Sequence, residues 1–197
     1  MKGSIFFLIS IALLMVSAGQ ATAQNKEVYR GTVVFYGSGH DLRTGTRPFT
    51  LTLNSLTSDA DASQFIQTLS SDGQDELLNA IDKRTVGRFS VGNNVGIDVN
   101  VARERMVDGK MRVFVAFKRW TEFAELRYGL RSLDYPFGVI EIYIDPATGK
   151  GEGTYIAAAK VSWGHDKKTN ADQIEIENFA TWPAKLMNVS RSGEIKP

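Results

Sequence analysis

The chain contains two histidines, and each is followed by an aspartate: His40-Asp41 and His165-Asp166. Imidazole beside carboxylate can ligate a metal or exchange a proton, so an enzyme built from this chain would draw on His40, Asp41 and His165. Their neighbours argue against it. His40 stands among glycines, and His165 lies between Gly164 and the polar run Asp166 to Asn170, so both read as loop residues with nothing to bring the loops together. Gly37-Ser38-Gly39 lacks the G-x-S-x-G spacing of a nucleophile elbow, and the absence of cysteine excludes thiol chemistry. Glu175 and Glu177 share one face of a strand, as do Glu141 and Asp145, but glycosidase carboxylates must flank a sugar from two sides. Alternation with isoleucine makes them the wetted face of half-buried strands. The Gly149–Gly153 stretch lacks the residues that complete a phosphate loop and reads as a hairpin turn. No catalytic, cofactor-binding or metal-ligating residue is assigned, and no cofactor is expected.

The remaining chemistry is apolar. Ala157-Ala158-Ala159 lies within a strand between Ile156 and Val161, flanked by Tyr155 and Trp163. Small side chains there let a helix, or a small ligand, approach a sheet closely, and barrels of about eight strands can hold one small ligand.

The elements that must position these residues are mostly strands. Residues 28–36 and 49–53 read as strands, with a loop between them that runs through Gly45 to Pro48. The period then changes: Ala62, Phe65, Ile66 and Leu69 mark one helical face, capped by Ser58 or Asp59. Gly73 interrupts, and Asp72 is available to cap a second helix carrying Leu77, Leu78 and Ile81. Further strands follow. Ile97, Val99 and Val101 alternate on one face, then come 111–120, 137–145, 153–163, 173–179 and a last strand over 181–189. A short helix over 121–128 ends at Gly129. The expected fold is mainly β to α+β, an antiparallel meander or up-and-down barrel-like sheet of about seven to nine strands with a helical pair inserted at about 59–82.

Asp108-Gly109 signals a hairpin. A two-residue turn would set Arg105 directly opposite Arg112, a like-charge pair. A three-residue loop of Val107, Asp108 and Gly109 would instead set Glu104 opposite Arg112, a pair worth a few tenths of a kcal/mol. The sequence predicts the three-residue loop.

The first 23 residues read as a secretory signal peptide, with Lys2, an apolar run from Ile5 to Val16 and the small-x-small triplet Ala21-Thr22-Ala23. That run is shorter than the roughly 20 residues a membrane-spanning helix needs. Residues 24–197 then form a single β-rich domain, exported to the periplasm or outside. Without a cysteine after the leader, no lipid anchor of that kind is expected.

The full chain carries 23 basic and 22 acidic side chains, and cleavage after Ala23 removes Lys2 and leaves zero net charge. The middle segment, 83–131, is basic, but its arginines can pair across strands, and overall neutrality gives no long-range steering towards nucleic acid.

Gly73-Gln74-Asp75, Val86-Gly87-Arg88, Ser132-Leu133-Asp134-Tyr135-Pro136-Phe137 and Glu177-Asn178-Phe179-Ala180-Thr181 together resemble a family of uncharacterised exported bacterial proteins. The resemblance implies export and one shared fold, and brings no activity or site residues. The leading expectation is a soluble, non-enzymatic exported protein that binds a protein partner or a small apolar ligand, without stable membrane insertion after leader cleavage. The alternatives are an enzyme of unrecognised type using His40, Asp41 and His165, and a small outer-membrane barrel.

Overall fold

The structure, a computed structural model, describes residues 26–36, 45–121, 123–166, 171–179 and 182–192. Residues 1–23, read from the sequence as a leader, lie outside them. Ten strands are present: β1 (Glu27–Phe35), β2 (Gly45–Leu53), β3 (Gly87–Val91), β4 (Ile97–Val99), β5 (Val101–Val107), β6 (Lys110–Lys118), β7 (Phe137–Asp145), β8 (Lys150–Asp166), β9 (Ala171–Asn178) and β10 (Ala184–Ser192). Nine follow the order β4-β3-β2-β1-β10-β8-β7-β6-β5, and β9 pairs with the far half of β8. Every pairing is antiparallel.

The two ends of that order, β4 and β5, are separated in the chain only by Asn100. Residues before it pair with β3 and residues after it with β6, so one bent stretch of chain nearly closes the sheet into a barrel. Asn100 is buried and makes the join. Its N–H donates to Ala116 O (3.2 Å), its Nδ2 donates to Arg84 O (2.7 Å), and its Oδ1 accepts from Lys118 N (2.9 Å). The bend also corrects the expected alternation. Val99 and Ala102 belong to the barrel core, whereas Val101 packs with the cluster beneath the helices.

Inside the barrel, alternate residues of each strand meet in one core that includes Leu51, Phe89, Val115, Ile142 and Leu186. Its aromatic centre is closely packed: the Phe89 and Tyr155 rings meet edge to face at 5.0 Å, and Phe89 lies 5.8 Å from Phe117. Phe117 fits because Gly138 stands opposite it. Any Cβ at Gly138 would collide with the Phe117 ring.

Helices α1 (Asp59–Asp72) and α2 (Gln74–Ile81) lie on the outside of the barrel. Ser58 caps α1, its Oγ accepting from Asp61 N. Asp72 does not cap α2. It is still part of α1, and the single residue between the helices, Gly73, takes the N-cap place with φ 87° and no side-chain bond. The buried face of the pair (Phe65, Leu69, Leu77 and Ile81) packs on Phe137, Val139, Ala159 and Val161. Gln74 Oε1 also accepts from Val161 N at 3.2 Å. Of the alanine stretch of β8, Ala159 seats the helices, while Ala157 is exposed. α3 (Phe123–Tyr128) and a 3-10 turn (Arg131–Asp134) connect β6 to β7.

Two further local expectations fail. β2 begins at Gly45, so the residues read as loop up to Pro48 are strand. Pro48 O accepts from Gly92 N just past the end of β3, so the proline sits where the β2–β3 ladder ends. The β5–β6 hairpin has a two-residue turn: Val107 pairs with Lys110, Met106 with Met111 and Arg105 with Arg112. Asp108 and Gly109 have φ of 50° and 75°, the double positive φ of a type I′ turn. The unfavourable Arg105–Arg112 pairing is relieved from the third strand, where Arg112 Nε donates to Glu141 on β7.

Candidate functional site

Two places in the barrel concentrate chemistry. The first is a polar knot within the wall, built from inward positions of β1, β5 and β10. Glu27 is fully buried, and Arg191 forms an ion pair with it. Tyr29 Oη lies 2.6 Å from Glu27 Oε2 and 2.7 Å from Glu104 Oε1. A hydroxyl has one proton, so one of these contacts must be filled by a carboxyl proton. Glu27 is already held as an anion by Arg191, which leaves Glu104 as the group that keeps its proton. Burial, reinforced by its hydrogen bond with Glu27, pushes the Glu104 carboxyl up to about 7. The Tyr29 hydroxyl is raised well above its ordinary range, first by burial and then by hydrogen bonding to Glu27. Arg191 Nη1 approaches Met111 Sδ at 3.6 Å, and its Nε is buried without a partner among the described residues. The knot holds a proton between two carboxylates and ties the first strand to the last.

The second place is an apolar groove of about 320 Å³ between the helical pair and the outer wall of the barrel. Phe65, Ile66 and Leu69 line it from α1, Phe114 and Val139 from the barrel, and Ile174 and Ile176 from β9. Its edges leave large apolar side chains open to water: Ile66 is 41% exposed, Ile174 44% and Ile176 38%. The charged residues that line it are consecutive or paired across strands: Arg103, Glu104, Arg105 and Arg112. Arg103 is held by Asp59 (2.5 Å) and Thr57 O (2.8 Å). Arg112 is held by Glu141 and lies over the Phe114 ring. Arg105 is exposed and has no hydrogen-bond or ion-pair partner among the described residues.

The residues singled out from sequence fall elsewhere. His40 and Asp41, with Gly37-Ser38-Gly39, lie outside the described residues. The backbone of His165 lies in β8 opposite Asp172, so this histidine is on a strand and not in a loop. Glu141 is tied to Arg112, and Glu177 accepts from Tyr135 Oη at 2.6 Å. Gly149 closes the β7–β8 hairpin, its N–H donating to Asp145 O at 2.8 Å. Among the described residues, no three His, Asp or Glu side chains converge to hold a metal.

Paired carboxylates are visible in sequence only along single strands, whereas the pair that forms, Glu27 and Glu104, spans β1 and β5. A signal was present in the alternation: Glu27 precedes Tyr29 by two positions, and Glu104 follows Ala102 by two, so each acid continues a buried row.

The class defined by this geometry is an antiparallel, nearly closed barrel with a filled interior and a helical pair on its outer wall. No family model, curated protein or solved structure matches the chain.

Proposed function

We propose that the protein is a non-catalytic binder of a small apolar ligand, and that the ligand occupies the groove between the helical pair and the outer wall of the barrel. The observation that carries this reading is the groove itself. It is a concave, predominantly apolar space of about 320 Å³, at the lower end of the size range of ligand pockets. The half-exposed isoleucines at its edges are surface that a ligand would cover. The barrel interior is not the site, since aromatic and aliphatic side chains fill it.

The leader reading fits a protein that works outside the cytoplasm, in the periplasm or beyond. The distribution of polarity favours a water-soluble barrel over a membrane barrel. Membrane barrels are apolar outside and polar inside, whereas here the interior is apolar apart from the Glu27–Arg191 knot, and the outer wall carries Arg103, Arg105, Arg112 and Glu141. Among the described residues no helix is long and apolar enough to cross a membrane, which leaves strands as the relevant comparison.

Calorimetric titration of the full chain with decanol tests the reading. Ala62 lines the groove from α1, and Ala62→Trp should fill it and lower affinity at least tenfold, about 1.4 kcal/mol. Undiminished binding by this variant, with the fold intact by circular dichroism, overturns the assignment of the groove.

A further inference from the structure

Resting on the groove as the ligand site, we infer that its occupant is a single-chain amphiphile with an anionic head, carboxylate or phosphate, which Arg105 receives. Three arginines line one part of an otherwise apolar groove. Two of them are already neutralised, Arg103 by Asp59 and Arg112 by Glu141. Glu104 lies on β5 between Arg103 and Arg105, but its Oε1 is bonded to Tyr29 in the polar knot, so it does not neutralise Arg105.

The backbone places Arg105 directly opposite Arg112. Like charges opposite one another destabilise a sheet, yet among the described residues only one carboxylate, Glu141, answers the pair. The positive charge left over belongs to an exposed guanidinium on the rim of the groove. A planar guanidinium offers paired donors that match either a carboxylate or a phosphate. An acyl or alkyl chain suits the remaining lining of Phe65, Ile66, Leu69, Phe114 and Ile176. Head and tail requirements thus meet in one continuous space.

Titration of the full chain with decanoate, decyl phosphate and decanol separates the possibilities. At least one anionic probe should bind tenfold or more tightly than decanol, and the tighter of the two identifies the head group. Arg105→Gln should remove that difference, and Arg105→Lys should retain part of it, because the charge persists without the fork. If decanol binds as tightly as both anions, or if Arg105→Gln leaves the difference intact, the anionic inference is overturned while the groove reading stands. If none of the three probes binds, the groove reading fails and the inference with it. A urea unfolding midpoint for Arg105→Gln at or above that of the parent shows that a loss is not a folding defect.

Discussion

The Tyr29 hydroxyl lies 2.7 Å from Glu104 Oε1, joining residues 75 positions apart on β1 and β5. Because the same hydroxyl also meets Glu27, Glu104 must supply a proton to the network, and its carboxyl is pushed up to about 7, chiefly by burial. The folded state therefore binds more protons than the unfolded chain between about pH 4.5 and 7. Stability is greatest at the acid side of that window and falls as pH rises through it. Glu104 is half-buried, so water screens part of the effect, and about 1–2 kcal/mol is expected. Thermal unfolding at pH 5 and pH 8 should show the decline. Glu104→Gln should flatten it and unfold later than the parent at pH 8, and an unchanged pH slope would remove Glu104 as its source.

Removing the cation from the knot should be more damaging than removing the proton. Arg191→Met leaves Glu27 fully buried without its ion-pair partner, and an uncompensated buried charge costs about 3–5 kcal/mol. Adding Glu27→Gln should recover a large part of that loss, because the stranded charge disappears. Urea denaturation of the two single variants and the double variant measures the coupling. Additive losses would show that the two groups do not act as a pair.

Closure of the barrel depends on Asn100, which no strand pairing alone explains. Asn100→Ala removes the bonds to Arg84 O and Lys118 N and strands both groups, a loss of about 2–3 kcal/mol. The effect should be local before it is global: amide exchange at Lys118 should accelerate, while the Lys185 amide on β10 stays protected. Equal acceleration at both would mean that Asn100 supports the whole fold and not the β4–β5 join.

What was legible in the sequence was what repeats locally. Alternation along 137–145 and the i, i+3, i+4, i+7 spacing from Ala62 are short-range signals, and both the meander and the helical pair formed as expected. The break at Asn100 was not legible, because Ile97, Val99 and Val101 continue a strand period straight through it. The hairpin differs from its expectation for a related reason. Two strands alone favour Glu104 opposite Arg112, but the relief of Arg112 comes from Glu141 on a third. A cross-strand preference of a few tenths of a kcal/mol did not outweigh a turn in which Asp108 and Gly109 both adopt positive φ. The candidate groove was least visible, since α1, β6, β7 and β9 meet only in three dimensions.

Arg105 supplies the last prediction, in which stability and binding should move in opposite directions. Opposite Arg112, a glutamate at position 105 would replace a like-charge pair with an opposite-charge pair, a gain of about 0.2–1 kcal/mol. For a chain of this size, that corresponds to a rise of about 0.4–4 °C in Tm. The gain should shrink in high salt, because Arg105 is exposed and its charge is screened. The same Arg105→Glu change should abolish the advantage of the tighter anionic probe over decanol, since the rim then repels the anionic head. A residue that opposes local stability while serving a site is where sequence and fold are expected to disagree. If Arg105→Glu instead lowers Tm, Arg105 has a structural role in the sheet and the disagreement needs no ligand to explain it.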